Sequence, residues 1–289
     1  MLSVLKIGGS VLRDDDSYAA AARFLQDRLA RRPDERLGVI VSAQHGQTDA
    51  LLAEAEAIVA NVQASEGRRE PPRSGGPSAQ RGGECKGAPP SEVSKDTLDL
   101  LWSTGELRSV ALLCLHLQRI GVDAMPFNVH QTGLVADRVT GTTVRPLRLL
   151  AALGAHRIVV VPGFLGVSAG GTITSLGRGG SDLTAILLAT AIRADACELI
   201  KDVPGYYTAD PHRDPAARQI HDLTAEDALR MADEGCDLVQ RAALVAAAAA
   251  GLHIVIRSMD AAAPVTHVHS RSGHGVRDED DSCRTAVRA

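Results

Sequence analysis

The sequence predicts an α/β protein with three layers, αβα, built on a central, mainly parallel sheet. Short apolar, β-branched runs alternate with segments whose apolar residues have helical spacing. This alternation is typical of a parallel sheet that is covered by helices on both faces. Polar turns containing glycine directly follow several of the runs, and such turns meet at the carboxyl edge of a parallel sheet, where ligands bind.

The first elements follow this alternation as far as residue 62. Val4 to Ile7 is predicted as a strand and 17–30 as a helix, and the strand at 37–41 precedes a helix at 50–62. The segment 64–94 is different because it is rich in Pro, Gly, Ser and Arg and has almost no large apolar residue. Burial cannot offset its ordering entropy, so we expect a mobile surface insertion, with a substrate lid as the alternative.

The alternation resumes near residue 97 and continues to a last strand. The predicted elements are a helix over 98–120 that is interrupted at 103–106, a strand at 122–127, a helix at 144–153, a strand at 157–162, a helix at 184–193, a strand at 196–200, helices at 225–233 and 240–250, and a last strand at 253–257. The polar, charged segment 261–289 is predicted to be a loose tail.

Composition narrows the classes of function. The 289-residue chain has a net charge of −4 and a pI near 6.2, which give no basis for a nucleic-acid or membrane partner. No apolar run approaches the roughly 18 residues of a membrane span, and the N-terminus is too short for a signal peptide. Five scattered cysteines indicate a reduced, cytoplasmic protein, and neither they nor the ten histidines have the spacing of a metal site.

Two glycine-rich turns carry the strongest signals for a site. In 177–182, Arg178 and Asp182 lie in a turn that leads into a helix, where unpaired backbone N–H groups can bind an anion. Lys6 precedes Gly8, Gly9 and Ser10 after the first strand, so the backbone there could approach a phosphate closely. Neither turn has the spacing of a Walker A loop or a dinucleotide fingerprint. A tight connecting turn with a solvated lysine remains the alternative for Lys6.

Five segments, taken together, resemble the catalytic domain of aspartokinases, within the amino acid kinase (aspartate/glutamate/uridylate kinase) family. They are 6–11, 39–49, 103–106, 177–185 and 202–211, and they occur in the family's order. The resemblance covers residues 1–260 and implies the carbamate kinase-like fold of that family. It also implies an acceptor lobe over about 1–165, an ATP lobe over about 166–260, and a homodimer.

The resemblance assigns roles to individual residues. Lys6 would stabilise the transferred phosphate, and Asp182 would orient groups around it. Glu106 would pair with the acceptor's amino group, with a helix-capping carboxylate as the alternative. The full implied set is Gly8, Gly9, Ser10, Gly179 and Gly180 for phosphate, Ser42, Glu106, Arg178 and Ser181 for the acceptor, and Lys201, Asp202, Tyr207, Asp210, Pro211 and Arg213 for the nucleotide, ATP with Mg²⁺.

The sequence departs from the family pattern on the nucleotide side. Asp237 stands where aspartokinases usually carry a lysine near the ATP phosphates, and His212 stands where an arginine is usual. Lys201, Arg213 or Arg241 could supply the missing positive charge. The regulatory ACT domains of typical aspartokinases are not expected in this chain, so feedback inhibition through them is not expected either.

Two functions follow from these observations. The first is an ATP-dependent kinase that forms an acyl phosphate on a small amino acid or carboxylate, with aspartate as the first choice. Another carboxylate, a phosphate or a phosphonate could be the acceptor instead. The second is a kinase-fold binding or regulatory protein that has lost turnover through Asp237 and His212.

Overall fold

A computed structural model describes residues 1–66, 94–137, 141–177, 179–211 and 213–270. The strands are β1 (Leu2–Ile7), β2 (Arg36–Val41), β3 (Ala124–Pro126), β4 (Leu134–Asp137), β5 (Gly141–Val144), β6 (Ile158–Pro162), β7 (Leu165–Val167), β8 (Ile173–Ser175), β9 (Ala196–Ile200), β10 (Tyr206–Tyr207), β11 (Gln219–Ile220), β12 (Asp222–Thr224), β13 (Ile254–Arg257) and β14 (Thr266–His269). The helices are α1 (Asp15–Arg31), α2 (Gln47–Glu66), α3 (Lys95–Arg119), α4 (Leu147–Ala155), α5 (Gly180–Ile192), α6 (Ala225–Asp233) and α7 (Arg241–Ala250).

An eight-stranded sheet forms the middle layer, in the order β12-β14-β13-β9-β1-β2-β6-β3. In the described part of the chain its neighbouring strands run parallel, except that β13 and β14 are antiparallel. Side chains of α4, α5, α6 and α7 share one hydrophobic cluster, and those of α1 and α3 share a second. The predicted three-layer αβα class with a mainly parallel sheet is therefore confirmed.

The central strands are buried on both faces, which is why they read as continuous apolar runs rather than as alternating ones. In β1, Val4 packs into the cluster of α5 and α7, whereas Leu5 and Ile7 pack into the cluster of α1 and α3. Lys6 lies near the carboxyl end of β1, and Lys201 directly follows the neighbouring β9. The two lysines therefore come to the same edge of the sheet.

Three sequence-based expectations about elements are wrong. Helix α3 is continuous through 103–106, and Gly105 lets it pack closely, because a Cβ there would lie 3.3 Å from the Ala43 Cβ atom. Val144 belongs to β5, since the helix begins only after Pro146. The strand predicted at 253–257 is present as β13, but it is not the last strand. It is followed by β14, which pairs with β12 and β13 and in which Thr266 and Val268 are buried.

The remaining expectations about organisation are not tested. Helix α2 continues to Glu66, so the first three residues of the predicted insertion are helical. The rest of it (67–93) and the end of the predicted tail (271–289) lie outside the described residues. The division into two lobes at residue 165 stays a prediction. None of the helices in the described ranges is both long enough and apolar enough to cross a membrane.

Candidate active site

A buried carboxylate lies between two buried lysines at the carboxyl edge of the sheet. Lys6 Nζ is 2.8 Å from Asp182 Oδ1, and Lys201 Nζ is 2.8 Å from Asp182 Oδ2. Asp182 lies in the first turn of α5, and all three side chains are at most 10% exposed. Charges are tolerated at such depth only when they are paired, so each group depends on the others.

The charges of this triad are set by burial and by mutual contact. Burial alone would raise the pKa of Asp182, but the ammonium groups of Lys6 and Lys201 outweigh it and lower the pKa to about 2. Burial, together with the nearby Lys6, lowers the pKa of Lys201 to about 8 although Asp182 opposes the shift. Near neutral pH two ammonium groups thus face one carboxylate, and the net positive charge suits a phosphate group.

The glycine turn after β1 is shaped by close contacts. A Cβ at Gly9 would lie 2.6 Å from the Ala43 carbonyl oxygen, so the turn is pressed against the end of β2. The Gly8 N–H donates to the Ile200 carbonyl oxygen at 3.2 Å. The Ser10 hydroxyl donates to Asp202 Oδ1 at 3.1 Å, which connects this turn to the loop after β9.

The second glycine turn lies beside the triad. Gly179 has a left-handed backbone (φ 71°), and a Cβ there would lie 2.9 Å from Gln240 Cγ. The Gly180 N–H donates to the Gly177 carbonyl oxygen at 3.0 Å. Ser181 is buried next to Asp182. Arg178, the predicted clamp for an acceptor carboxylate, lies outside the described residues.

Glu106 lies in the interior of α3, which rules out a helix-capping role for it. It is 5% exposed, and the Ala43 N–H donates to its carboxylate. Among the described residues, Oε2 has no hydrogen-bond partner. Burial raises the pKa of Glu106 to about 8, against the opposing effects of the Ala43 N–H and of Lys6. A cationic group that reached Oε2 would relieve this cost. Ser42 follows β2, and its N–H donates to the Ile7 carbonyl oxygen at 3.3 Å.

We expect Gly163→Ala to disrupt this side of the site. A Cβ at Gly163 would lie 2.6 Å from Ser181 Oγ and 3.0 Å from Ile40 Cγ2. The overpacking should lower the free energy of unfolding by about 1–3 kcal/mol, measured by urea denaturation. Gly154→Ala is the matched control because it lies in α4 with nothing within 4 Å of its Cβ, and it should be neutral or slightly stabilising. Equal stability of Gly163→Ala and wild type would contradict the described packing.

A cavity of about 770 Å³ opens beside Lys201. Its polar lining includes Ser10, Lys201, Asp202, Thr208, Asp210, Arg230, Glu234 and Asp237, and its larger apolar and aromatic residues include Tyr206, Tyr207, Ile220, Met231 and Leu238. A mostly apolar wall that also carries charged side chains suits a nucleotide. Of the predicted nucleotide residues, Lys201, Asp202, Tyr207, Asp210 and Pro211 line this cavity.

Three residues were predicted to replace the positive charge that the family carries near the ATP phosphates, and they differ in whether they line the cavity. Lys201 faces the cavity, but Arg213 does not line it and contacts the Asp210 carboxylate at 3.5 Å. Arg241 pairs with Asp233 at 2.5 Å and does not line it either. His212 lies outside the described residues.

Sequence reasoning missed the contribution of α6 to this cavity. Arg230 and Glu234 of this helix line the cavity and form an ion pair at 3.6 Å. Their i,i+4 spacing is common on solvated helix faces and carries no information about a site. Only the position of α6 after β12 brings Arg230 to the nucleotide side. Asp237, noted for its reversed charge, also lines the cavity.

Comparison with known proteins gives the family of this chain. The profile of the amino acid kinase family matches residues 1–258. The chain belongs to the amino acid kinase family. It is 35% identical to the aspartokinase of Thermus thermophilus in an alignment of 263 residues that covers 89% of this chain and 56% of that protein. The aspartokinase of Pseudomonas aeruginosa is 43% identical over 148 residues, 50% of this chain and 36% of that protein.

Solved structures agree with this placement. Aspartate kinase from Synechocystis superposes with a TM-score of 0.74 at 30% identity, over 93% of this chain and 40% of that one. Escherichia coli aspartokinase III, in complex with aspartate and ADP, gives 0.72 at 25% identity, over 95% and 66%. UMP kinase from Bacillus anthracis, at 0.56 and 13%, shares the fold alone. The resemblance to aspartokinases and the amino acid kinase fold are confirmed. This family member spans about half the length of the curated relatives that it matches.

Proposed function

We propose that the chain is an ATP-dependent kinase that phosphorylates the side-chain carboxylate of aspartate. The observation that carries the proposal is the buried Lys6–Asp182–Lys201 triad, in which Lys6 is close enough to Glu106 to lower its pKa and Lys201 lines the 770 Å³ cavity. The triad therefore connects the residue that we assign to the acceptor with the cavity that we assign to the nucleotide. The likeness to a protein solved with aspartate and ADP supports the choice of substrates.

The reaction that we infer needs positioning and charge neutralisation more than acid–base chemistry. An oxygen of the aspartate carboxylate attacks the γ-phosphorus, the bond to the β,γ-bridging oxygen breaks, and ADP leaves with that electron pair. The acceptor is already an anion, so no general base is required. Lys6 and Lys201 are positioned to neutralise the charge on the phosphoryl oxygens, and Asp182 holds both lysines in place.

Mg²⁺ with ATP is part of the proposal. Asp202 and Asp210 offer carboxylate oxygens at the cavity, and carboxylate is a ligand that Mg²⁺ accepts together with phosphate oxygens. These two residues would hold the ion, which would supply charge neutralisation on the phosphates. The fit rests on the donor chemistry of the two carboxylates and on their place beside Lys201.

Assembly and compartment also stay proposals. The cytoplasmic location that we propose is supported by the thiols of Cys114, Cys197 and Cys236, which are not in disulfides. The homodimer follows from the resemblance, and light scattering on the purified chain tests it. A monomer mass at micromolar concentration would contradict that assembly.

The proposed reaction is tested by measuring ADP release with a panel of acceptors. The panel holds aspartate, glutamate, UMP, inorganic phosphate and a simple phosphonate, each with ATP and Mg²⁺. We expect aspartate to give the highest kcat/KM. A higher value with another acceptor would replace aspartate as the substrate. Aspartate binding without ADP release from any acceptor would favour the binding or regulatory protein.

We expect acceptor affinity to depend on pH through Glu106. Its carboxylate must be ionised to pair with the ammonium group of the acceptor, and its pKa in the free protein is about 8. The KM for aspartate should therefore fall about tenfold per pH unit as the pH rises from 6 towards 8. In Glu106→Gln the KM should be higher and no longer vary in this range. Glu234→Gln, on the nucleotide side, should keep the wild-type slope, and a flat wild-type profile would contradict the role.

Asp237→Lys should strengthen nucleotide binding. Within the described lining of the cavity, four carboxylates (Asp202, Asp210, Glu234 and Asp237) face two cations (Lys201 and Arg230). Reversing one charge beside a triphosphate should lower the Kd for ATP about tenfold, measured by calorimetry. The gain in ATP affinity should be smaller in 1 M salt, because salt screens the charges. Asp16→Lys makes the same charge change at an exposed site on α1 and should leave the Kd unchanged. An unchanged Kd in Asp237→Lys would place Asp237 away from the phosphates.

A further inference from the structure

Thr266 is a fully buried residue of β14 that contacts the wall of the nucleotide cavity. Its hydroxyl accepts a hydrogen bond from the Tyr206 N–H at 3.0 Å and donates one to the Ile220 carbonyl oxygen at 2.5 Å. Tyr206 and Ile220 pair across the antiparallel strands β10 and β11, and both line the cavity. A single hydroxyl of β14 therefore joins the two strands that form this part of the cavity wall.

Close packing leaves this hydroxyl little room to move. A Cβ at Gly205, which also lines the cavity, would lie 2.1 Å from Thr266 Oγ1. The Gln219 side chain supports the same place, since its Nε2 donates to the Pro204 carbonyl oxygen at 3.3 Å and to the Pro264 carbonyl oxygen at 3.2 Å. The segment before β10 and the segment before β14 are thus held against each other.

Strands β10 and β11 depend on this support because they are short. Each has two residues, and together they form a separate two-stranded sheet, which is marginally stable at best by itself. Thr266 connects this ribbon to the eight-stranded sheet, to which β14 belongs. Buried backbone N–H and C=O groups need partners. Removing the hydroxyl would take one partner from the Tyr206 N–H and one from the Ile220 carbonyl oxygen, so the ribbon would shift.

We propose that Thr266 is a positioning residue for the nucleotide, which it does not itself touch. The inference rests on the proposed function and adds to it a residue that does not line the cavity. The hydroxyl holds the β10–β11 ribbon where Tyr206, Tyr207 and Ile220 form a wall for ATP. Without the hydroxyl, the ribbon of the free protein would occupy other positions, and ATP would have to restore the competent one. The affinity for ATP would then fall with the competent fraction of the protein.

The test compares ATP binding by calorimetry in three variants. Thr266→Val keeps the shape of the side chain and loses the hydroxyl, whereas Thr266→Ser keeps the hydroxyl and loses the methyl group. Thr132→Val is the matched control, because Thr132 is equally buried and does not line the cavity. Its hydroxyl likewise joins two backbone groups, donating to the Val129 carbonyl oxygen at 2.8 Å and accepting from the Leu134 N–H at 3.1 Å. We expect the Kd for ATP to rise about tenfold in Thr266→Val. It should stay near the wild-type value in Thr266→Ser and Thr132→Val.

Two further readouts separate positioning from a general loss of stability. Both valine variants should lower the midpoint of urea denaturation, but only Thr266→Val should raise the KM for ATP, with kcat and the KM for aspartate near their wild-type values. Hydrogen exchange at the Tyr206 amide should be faster in Thr266→Val and slow again with saturating ATP. Thr266→Ala, which buries no additional methyl group, takes the place of Thr266→Val if the latter does not fold.

Three results would overturn the inference. They are an unchanged Kd for ATP in Thr266→Val, an equal rise in Thr266→Val and Thr132→Val, and an equal rise in Thr266→Val and Thr266→Ser. The second result would indicate general loosening, and the third would indicate packing of the methyl group. The expected pattern of ATP binding without ADP release would refute the kinase proposal and retain the positioning role. A wild-type chain that does not bind ATP would refute both.

Discussion

Lys6→Met is expected to lower kcat for phosphate transfer about a thousandfold, the loss typical of removing one preorganised electrostatic group from an active site. The Lys6 ammonium group lies 2.8 Å from Asp182 and has no replacement among the described residues, because Lys201 already contacts the other carboxylate oxygen. Methionine keeps the unbranched stem, so packing within the site changes little. The measurement is steady-state ADP release with saturating aspartate and ATP.

The controls for Lys6→Met separate chemistry from folding. The circular dichroism spectrum should stay that of the wild type, since Lys201 still neutralises Asp182. Lys6→Arg keeps a positive charge, but its planar head group cannot occupy the same buried position, so most of the loss should persist. A kcat within tenfold of wild type in Lys6→Met would exclude Lys6 from the transfer step.

Asp182→Asn is expected to cause the largest loss of stability. The amide would leave the buried ammonium groups of Lys6 and Lys201 facing each other without a counter-charge, and breaking a buried pair in this way costs about 3–5 kcal/mol. Activity should also be lost, because both lysines would move apart. Urea denaturation at pH 7 measures the change in stability. Asp233→Asn breaks the exposed pair with Arg241 and should leave the midpoint near that of the wild type.

The stability of the wild-type protein and that of Asp182→Asn should respond differently to acid. The pKa of Asp182 is lowered to about 2 by its lysine partners, below its ordinary value near 4. Its contribution is therefore fully present above pH 4 and is lost as the pH falls through 2. Between pH 4 and 2 the wild type should lose stability more steeply than Asp182→Asn. Parallel profiles would show that Asp182 is not paired in the folded protein.

Most of the fold could be predicted from sequence because the central strands are buried on both faces. Runs such as Val39–Val41 and Ile158–Val161 are apolar without interruption, and only a covered parallel sheet explains them together with the helical segments. Strand β14 was missed because only Thr266 and Val268 of its four residues are buried, and the histidines that alternate with them suggest a polar tail. The pairing of β14 with β12 and β13 joins residues that are far apart in the sequence, so no local pattern predicts it.

Short sequence motifs indicated the candidate site residues but not the contacts among them. Lys6, Asp182 and Lys201 come from three separate segments, and only the structure shows that they are in contact. Arg230 was not predicted, because it does not belong to a motif. Arg230 reaches the cavity through the position of a whole helix, which short motifs do not reveal.

The central claim is most directly tested by trapping the product with hydroxylamine. An acyl phosphate on the aspartate side chain reacts with hydroxylamine to give the β-hydroxamate, which mass spectrometry identifies. We predict ATP-dependent formation of this hydroxamate with the wild-type chain, and its loss in Lys6→Met. ADP release without hydroxamate would show that the phosphoryl group goes to another acceptor or to water. Absence of both products, with aspartate and ATP bound, would contradict the assignment of the triad to phosphate transfer.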